Sequence, residues 1–258
     1  MRGDACRPGI VKRVLAGIVG VGVVSILLLS FGCQSIQRKV LFYPSHHENL
    51  NGFTPWVQAG ETIGVSREAA DPRAVWLLLH GNGGQAADRQ YAMFAFDPQD
   101  SVFILEYPGY GARAGSPSPR AFDAAARAGY AALRARFADK PICVAGESIG
   151  SGPASMLARE TPAPDKLVLV VPFDRISDVA RDHVSWLPVK MIFRGTWDNV
   201  AALSGYTGPV EIFGAERDEV IAVRHAQALA QSVPQAKFHL IATNHGWANG
   251  REVQFRFP

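Results

Sequence analysis

Ser148 stands at the centre of Gly146-Glu147-Ser148-Ile149-Gly150. An apolar run, Pro141-Ile142-Cys143-Val144-Ala145, leads into this pentapeptide, and a helix-forming stretch starting at Ile149 continues through Ser151, Ala154, Met156 and Leu157. Pro153 lies near the helix start, where its missing N–H costs little. A serine on a sharp turn between strand and helix is presented as a nucleophile, and glycines two residues either side leave room for a strained backbone. The competing explanation is an ordinary glycine-rich strand-to-helix turn. The flanking strand and helix favour the nucleophile.

A hydroxyl attacks only when a base takes its proton, so a histidine and an acid are expected further along the chain. Seven histidines compete: His46, His47, His80, His183, His225, His239 and His245. His245 alone follows the last strand-like run, Lys237-Phe238-His239-Leu240-Ile241, in a polar loop, Thr243-Asn244-His245-Gly246-Trp247. His239 reads as a strand-face residue, His225 as a surface position of a helix over Val223 to Gln231, and His46 and His47 as solvated loop. The acid should leave the end of the preceding strand, Pro209-Val210-Glu211-Ile212-Phe213-Gly214, where Glu216, Asp218 and Glu219 crowd one loop. Asp218 is the choice, because it is central in the loop and precedes an apolar pair that would pin it inward. Glu216 and Glu219 read as solvated.

Charge developing on a substrate oxygen needs fixed donors. Val75-Trp76-Leu77-Leu78-Leu79 reads as a central parallel strand and runs into His80-Gly81-Asn82-Gly83-Gly84, where small residues let backbone amides come close to a ligand. The N–H of Asn82 and the N–H of Ile149 are the expected donors, with His80 given a structural role. No cofactor is called for, and neither a metal motif nor a nucleotide-binding glycine fingerprint occurs.

His80-Gly81-Asn82-Gly83, Glu106-Tyr107-Pro108-Gly109-Tyr110-Gly111, the pentapeptide at Ser148, Gly214 to Asp218 and Asn244-His245-Gly246 occur in the order and spacing of the α/β-hydrolases. Over roughly Leu41 to Trp247 the chain resembles the branch of small serine hydrolases that contains depalmitoylase-like and serine-aminopeptidase-like proteins. The resemblance implies the α/β-hydrolase fold: a mostly parallel central sheet with helices on both faces and no large lid domain. It also implies hydrolysis of a small acyl ester or thioester, with Ser148 attacking, His245 moving the proton and Asp218 orienting the imidazole. Two departures stand out. Glu106 replaces the aspartate of many relatives, and little chain follows His245 to form the usual final helix. A peptidase acting on free N-termini is the rival activity, with Glu147 as the acidic residue that could grip an amine. A lipid-binding module without turnover is the rival from outside the enzymes.

Elements that could position these residues alternate along the chain. Ser101-Val102-Phe103-Ile104-Leu105 and Asp165 to Val171 read as buried strands, and Phe122, Ala126, Tyr130, Leu133 and Phe137 mark one face of a helix. Alternating strands and helices imply a parallel sheet covered on both sides. Tyr43 to Arg67 is expected to add antiparallel edge strands. Between Asp174 and Gly208 there is room for one or two helices; Trp186, Leu187, Met191, Ile192, Phe193 and Trp197 there read mainly as core, with some lining an acyl pocket.

Hydrophobic residues make up 48% of the chain, which excludes disorder. The net charge of +3 comes from Arg2, Arg7, Lys12 and Arg13 against Asp4; removing these leaves 22 basic and 22 acidic residues, so no nucleic-acid partner is indicated. Those positives precede an uncharged run of eighteen residues, Val14 to Phe31, which reads as a signal or membrane-anchor segment within residues 1–32, ahead of a domain over residues 33–258. Gly32-Cys33 resembles a bacterial lipoprotein junction, so Cys33 is a candidate lipid anchor; an uncleaved single helix and simple secretion are the alternatives. With either anchor the positive flank stays cytoplasmic and the domain faces outward, to the periplasm in a bacterium. Cys6, Cys33 and Cys143 offer the domain no disulfide framework.

Overall fold

The computed structural model describes residues 41–184 and 196–257. Cys33, the run Val14 to Phe31, and Trp186, Leu187, Met191, Ile192 and Phe193 lie outside the described residues. The strands are β1 (Tyr43–Pro44), β2 (Thr54–Gln58), β3 (Glu61–Arg67), β4 (Val75–Leu79), β5 (Gly83–Gly84), β6 (Ser101–Leu105), β7 (Ile142–Glu147), β8 (Lys166–Val170), β9 (Val210–Ala215) and β10 (Ala236–Ile241). The α-helices are α1 (Pro119–Arg136), α2 (Ser151–Leu157), α3 (Ile176–His183), α4 (Asn199–Leu203) and α5 (Val223–Ser232), with 3-10 segments at Ala86–Ala95, Ser148–Gly150 and Trp247–Gly250.

Eight strands form one sheet in the order β10-β9-β8-β7-β4-β6-β3-β2. From β10 to β6 every pairing is parallel, whereas β3 joins β6, and β2 joins β3, in antiparallel fashion. The reason is visible in the residues: β4, β6, β7 and β8 are buried along their whole length, as strands covered on both faces must be. β2 buries only Trp56 and leaves Val57 exposed, as an edge strand can.

Helix α1 starts where its sequence says it should. The Ser118 hydroxyl accepts from the N–H of Ala121, and Pro119 occupies the first turn. Its apolar face, Phe122, Ala126, Tyr130 and Leu133, is buried, and Phe137 packs against Phe103 as the helix ends. Trp197 packs in the core: it is buried against Gly152 of α2, and its indole N–H donates to Asp123 at 2.7 Å.

After Gly250 the described chain runs as an extended strap. Val253 and Phe255 are fully buried, the N–H of Phe255 donates to the carbonyl of Ala95 at 2.7 Å, and its ring meets Trp76, Phe96 and Trp247. The Lys166 ammonium reaches the carbonyl of Arg256 at 2.5 Å. The loop carrying His245 is therefore clamped by apolar burial on its C-terminal side.

Candidate active site

Strand β7 ends at Glu147, and the chain turns at once into the 3-10 segment from Ser148. Ser148 has φ of 52°, a left-handed conformation that costs a side-chain-bearing residue about 1–3 kcal/mol. Neighbours hold it there. The Ser151 hydroxyl donates to the carbonyl of Ser148 at 2.6 Å, and the buried Asn199 amide of α4 donates to Ser151 at 3.2 Å. Any larger residue at Gly146 would place its Cβ 2.6 Å from that of Ala154, and one at Gly150 would sit 2.0 Å from the carbonyl oxygen of Leu79. Both glycines are thus required by the close approach of α2 to β7 and β4.

The three residues expected to work together meet. His245 Nε2 lies 3.0 Å from Ser148 Oγ, and His245 Nδ1 lies 2.8 Å from Asp218 Oδ2. Asp218 Oδ1 accepts from the N–H groups of Val220 at 2.9 Å and Ile221 at 2.8 Å, so the loop after β9 fixes the carboxylate before it meets the ring. The Asp218 side chain is 1% exposed, that of His245 28%. Glu216 and Glu219 are exposed. With a proton on Nδ1, the ring donates to Asp218 and leaves Nε2 to accept from the serine hydroxyl.

Asn82 follows Gly81, whose N–H donates to Glu147 Oε2 at 3.1 Å, and Ile149 follows Ser148. Ile149 is buried at the start of the 3-10 turn, where its N–H has no intrahelical acceptor. The Asn82 side chain is used structurally, since its Oδ1 accepts from the N–H of Tyr43 at 3.2 Å and from the Tyr110 hydroxyl at 3.0 Å. That ties β1 and the Tyr107–Gly111 turn to the glycine loop. His80 is fully buried, with Nδ1 2.7 Å from the carbonyl of Gly81 and its ring against Tyr107 and Tyr110, the structural role expected of it. Glu106 accepts from the N–H of Ala86 at 3.1 Å, at the start of the first 3-10 segment, so its extra methylene is accommodated.

Two sequence readings change, those of Glu147 and His225. Glu147 is not offered to a substrate amine: it is buried and accepts from Gly81 N–H, the Tyr91 hydroxyl and the Trp247 indole. His46 and His47 are exposed loop residues as expected, with His46 Nδ1 2.7 Å from the carbonyl of Gly111 and His47 Nε2 2.7 Å from Asp88. His239 is a strand-face residue as expected but lies 3.0 Å from Glu211 and stacks on Phe213. His225 is no surface position: it is buried with Nδ1 2.8 Å from Asp174 and Nε2 2.6 Å from Asp182, which itself pairs with Arg224.

Two carboxylates facing both ring nitrogens favour the imidazolium. The hydrogen bond to Asp174 raises the His225 pKa above its ordinary 6.5, burial opposes this, and the bond to Asp182 and both negative charges reinforce it. A folded pKa above the unfolded one gives stability that is complete below pH 6.5 and is lost as pH rises through the folded value. Wild type is therefore expected to exceed His225→Gln in Tm most between about pH 5 and 6.5, the gap closing at higher pH. Melting both proteins across that range tests it; a gap that widens with pH would contradict the ionised clamp.

A mostly parallel sheet with a serine elbow, a glycine loop and a histidine loop at the carboxyl ends of its strands defines an α/β-hydrolase. No family model matches the chain. Lysophosphatidylserine lipase ABHD12 of Danio rerio is 26% identical over 317 residues, covering 98% of this chain and 79% of its own. An alpha-beta hydrolase from Vibrio vulnificus superposes with a TM-score of 0.58 at 19% identity, over 72% of this chain and 75% of its own. An esterase of Pyrococcus furiosus superposes with a TM-score of 0.63 at 14% identity, over 81% of this chain and 93% of its own. The structural likenesses establish the α/β-hydrolase fold. Together with the lipase relative they make the chain a hydrolase of esterase-like type.

Proposed function

We propose that the chain is a membrane-associated serine hydrolase that cleaves carboxylic esters or thioesters through an acyl-enzyme on Ser148. The observation that carries this is the unbroken line from Asp218 through His245 to Ser148, at 2.8 and 3.0 Å. Ser148 Oγ attacks the acyl carbon while His245 Nε2 takes the hydroxyl proton. The carbonyl becomes a tetrahedral oxyanion held by the N–H groups of Asn82 and Ile149. Collapse breaks the bond to the leaving alcohol or thiol, which receives the proton from His245. Water then repeats the sequence on the acyl-enzyme, its proton passing through His245 to Ser148 as the acid departs. Asp218 keeps the Nδ1 proton in place throughout.

An amphiphilic acyl ester is the favoured substrate class. The Danio rerio relative is named a lysophosphatidylserine lipase, and the uncharged run Val14 to Phe31 behind four positive residues suits a membrane anchor, through Cys33 or as an uncleaved helix. With either anchor the domain faces outward, on the periplasmic side in a bacterium. Among the described residues no helix is long and apolar enough to cross a membrane, which leaves the anchor to that run. The peptidase alternative is disfavoured because Glu147 is occupied by internal donors. The test is an assay of membrane and soluble fractions from cells making the full chain, with p-nitrophenyl esters and aminoacyl p-nitroanilides side by side. Ester hydrolysis in the membrane fraction is expected, shifting to the soluble fraction in Cys33→Ser if that thiol carries lipid. Dominant anilide hydrolysis, or wild-type activity that is wholly soluble, would contradict the reading.

A further inference from the structure

Three loops of the site meet at one buried carboxylate. Glu147 Oε2 accepts from the N–H of Gly81 at 3.1 Å, while Oε1 accepts from the Tyr91 hydroxyl at 2.6 Å and from the Trp247 indole at 3.1 Å. Gly81 adjoins Asn82, Glu147 adjoins Ser148, and Trp247 lies two residues beyond His245. Arg89, 7% exposed, supplies the opposing charge. Its guanidinium donates to the carbonyl of Gly83, to the Tyr91 hydroxyl at 2.9 Å and to the carbonyl of Gly81 at 3.4 Å.

The carbonyl of Gly81 and the N–H of Asn82 belong to one planar trans peptide, so they point in opposite directions. Turning the Gly81 carbonyl toward Arg89 and His80 therefore turns the Asn82 N–H away from them. Gripping the Gly83 carbonyl with the same guanidinium fixes the Gly83–Gly84 peptide, the second peptide beyond Asn82. Glycines on either side would otherwise leave these peptides free to rotate.

We propose that Arg89, held in place by Glu147, is the positioning residue that aims the Asn82 N–H at the oxyanion formed on the substrate. This rests on the reading of Ser148 as the nucleophile. Arg89 and Glu147 are buried opposite charges linked through the Tyr91 hydroxyl, and stability alone does not account for them, because buried charges contribute little beyond apolar groups of the same volume. Burial pushes the Glu147 carboxyl upward, but the Arg89 charge and the hydrogen bonds from Tyr91, Trp247 and Gly81 hold it below its ordinary value, so both partners are charged where the enzyme works.

Arg89→Lys tests the role, because an ammonium keeps the cation beside Glu147 but cannot fork to Gly81, Gly83 and Tyr91 together. With active sites counted by fluorophosphonate labelling, ester turnover per labelled site is expected to fall about 10- to 100-fold. KM is expected within about threefold of wild type, and the pH profile of kcat/KM is expected to be unmoved. The double variant Arg89→Met/Glu147→Gln removes both charges and is expected to regain Tm over Glu147→Gln alone while turnover per site stays low. Wild-type turnover per labelled site in Arg89→Lys, or turnover recovering with Tm in the double variant, overturns the role of Arg89 and leaves the Ser148 reading intact. A wild-type enzyme that takes no label overturns both.

Discussion

Replacing Ser148 with alanine is expected to lower kcat for a short p-nitrophenyl ester by at least about a thousandfold while leaving circular dichroism and Tm close to wild type. The fold survives because the contacts that shape the elbow do not use the hydroxyl. The Ser151 hydroxyl binds the main-chain carbonyl of Ser148, and the left-handed backbone is fixed by the packing of Gly146 and Gly150. Only the oxygen that faces His245 at 3.0 Å is lost. An alanine variant with wild-type turnover would mean that hydrolysis runs elsewhere on the molecule.

Asp218→Asn is expected to cost roughly 10⁴-fold in kcat, far more than Glu216→Gln or Glu219→Gln, which are expected within about twofold of wild type. The asparagine oxygen can still accept from the N–H groups of Val220 and Ile221, so the loop keeps its shape. Its amide nitrogen then faces His245 Nδ1 as a donor, which drives the ring proton to Nε2. That tautomer cannot accept from Ser148. Both glutamates are exposed and touch neither His245 nor Ser148. Steady-state kinetics of the three variants decide the matter, and a glutamate variant worse than Asp218→Asn would remove Asp218 from the role.

The parts of this molecule that were legible in the sequence are those with a local signature. Val75–Leu79 is a continuous apolar run, Ser101–Leu105 and Lys166–Val170 are apolar after their first residue, and each is a fully buried strand. Asp218 and His245 could be placed because each leaves the end of a recognisable strand in a polar loop. What escaped was charge paired over long distances. Arg89 and Glu147 are 58 positions apart, and His225 lies 51 positions from Asp174 and 43 from Asp182, so no periodicity links them. One signal was available for Glu147: a carboxylate between a buried strand and a buried turn must find partners, or its desolvation would be prohibitive. The C-terminal strap escaped for a different reason, since Val253 and Phe255 alternate over too few residues to show a period, yet both are fully buried.

The most direct measurement is to react the full chain with a fluorophosphonate, digest it and locate the adduct by mass spectrometry. One adduct per chain is expected, on the peptide bearing Ser148, formed in wild type and absent from Ser148→Ala. Its rate is expected to collapse in Asp218→Asn, where the His245 tautomer is wrong. An unlabelled wild type, or an adduct on any other residue, would contradict Ser148 as the nucleophile of this enzyme.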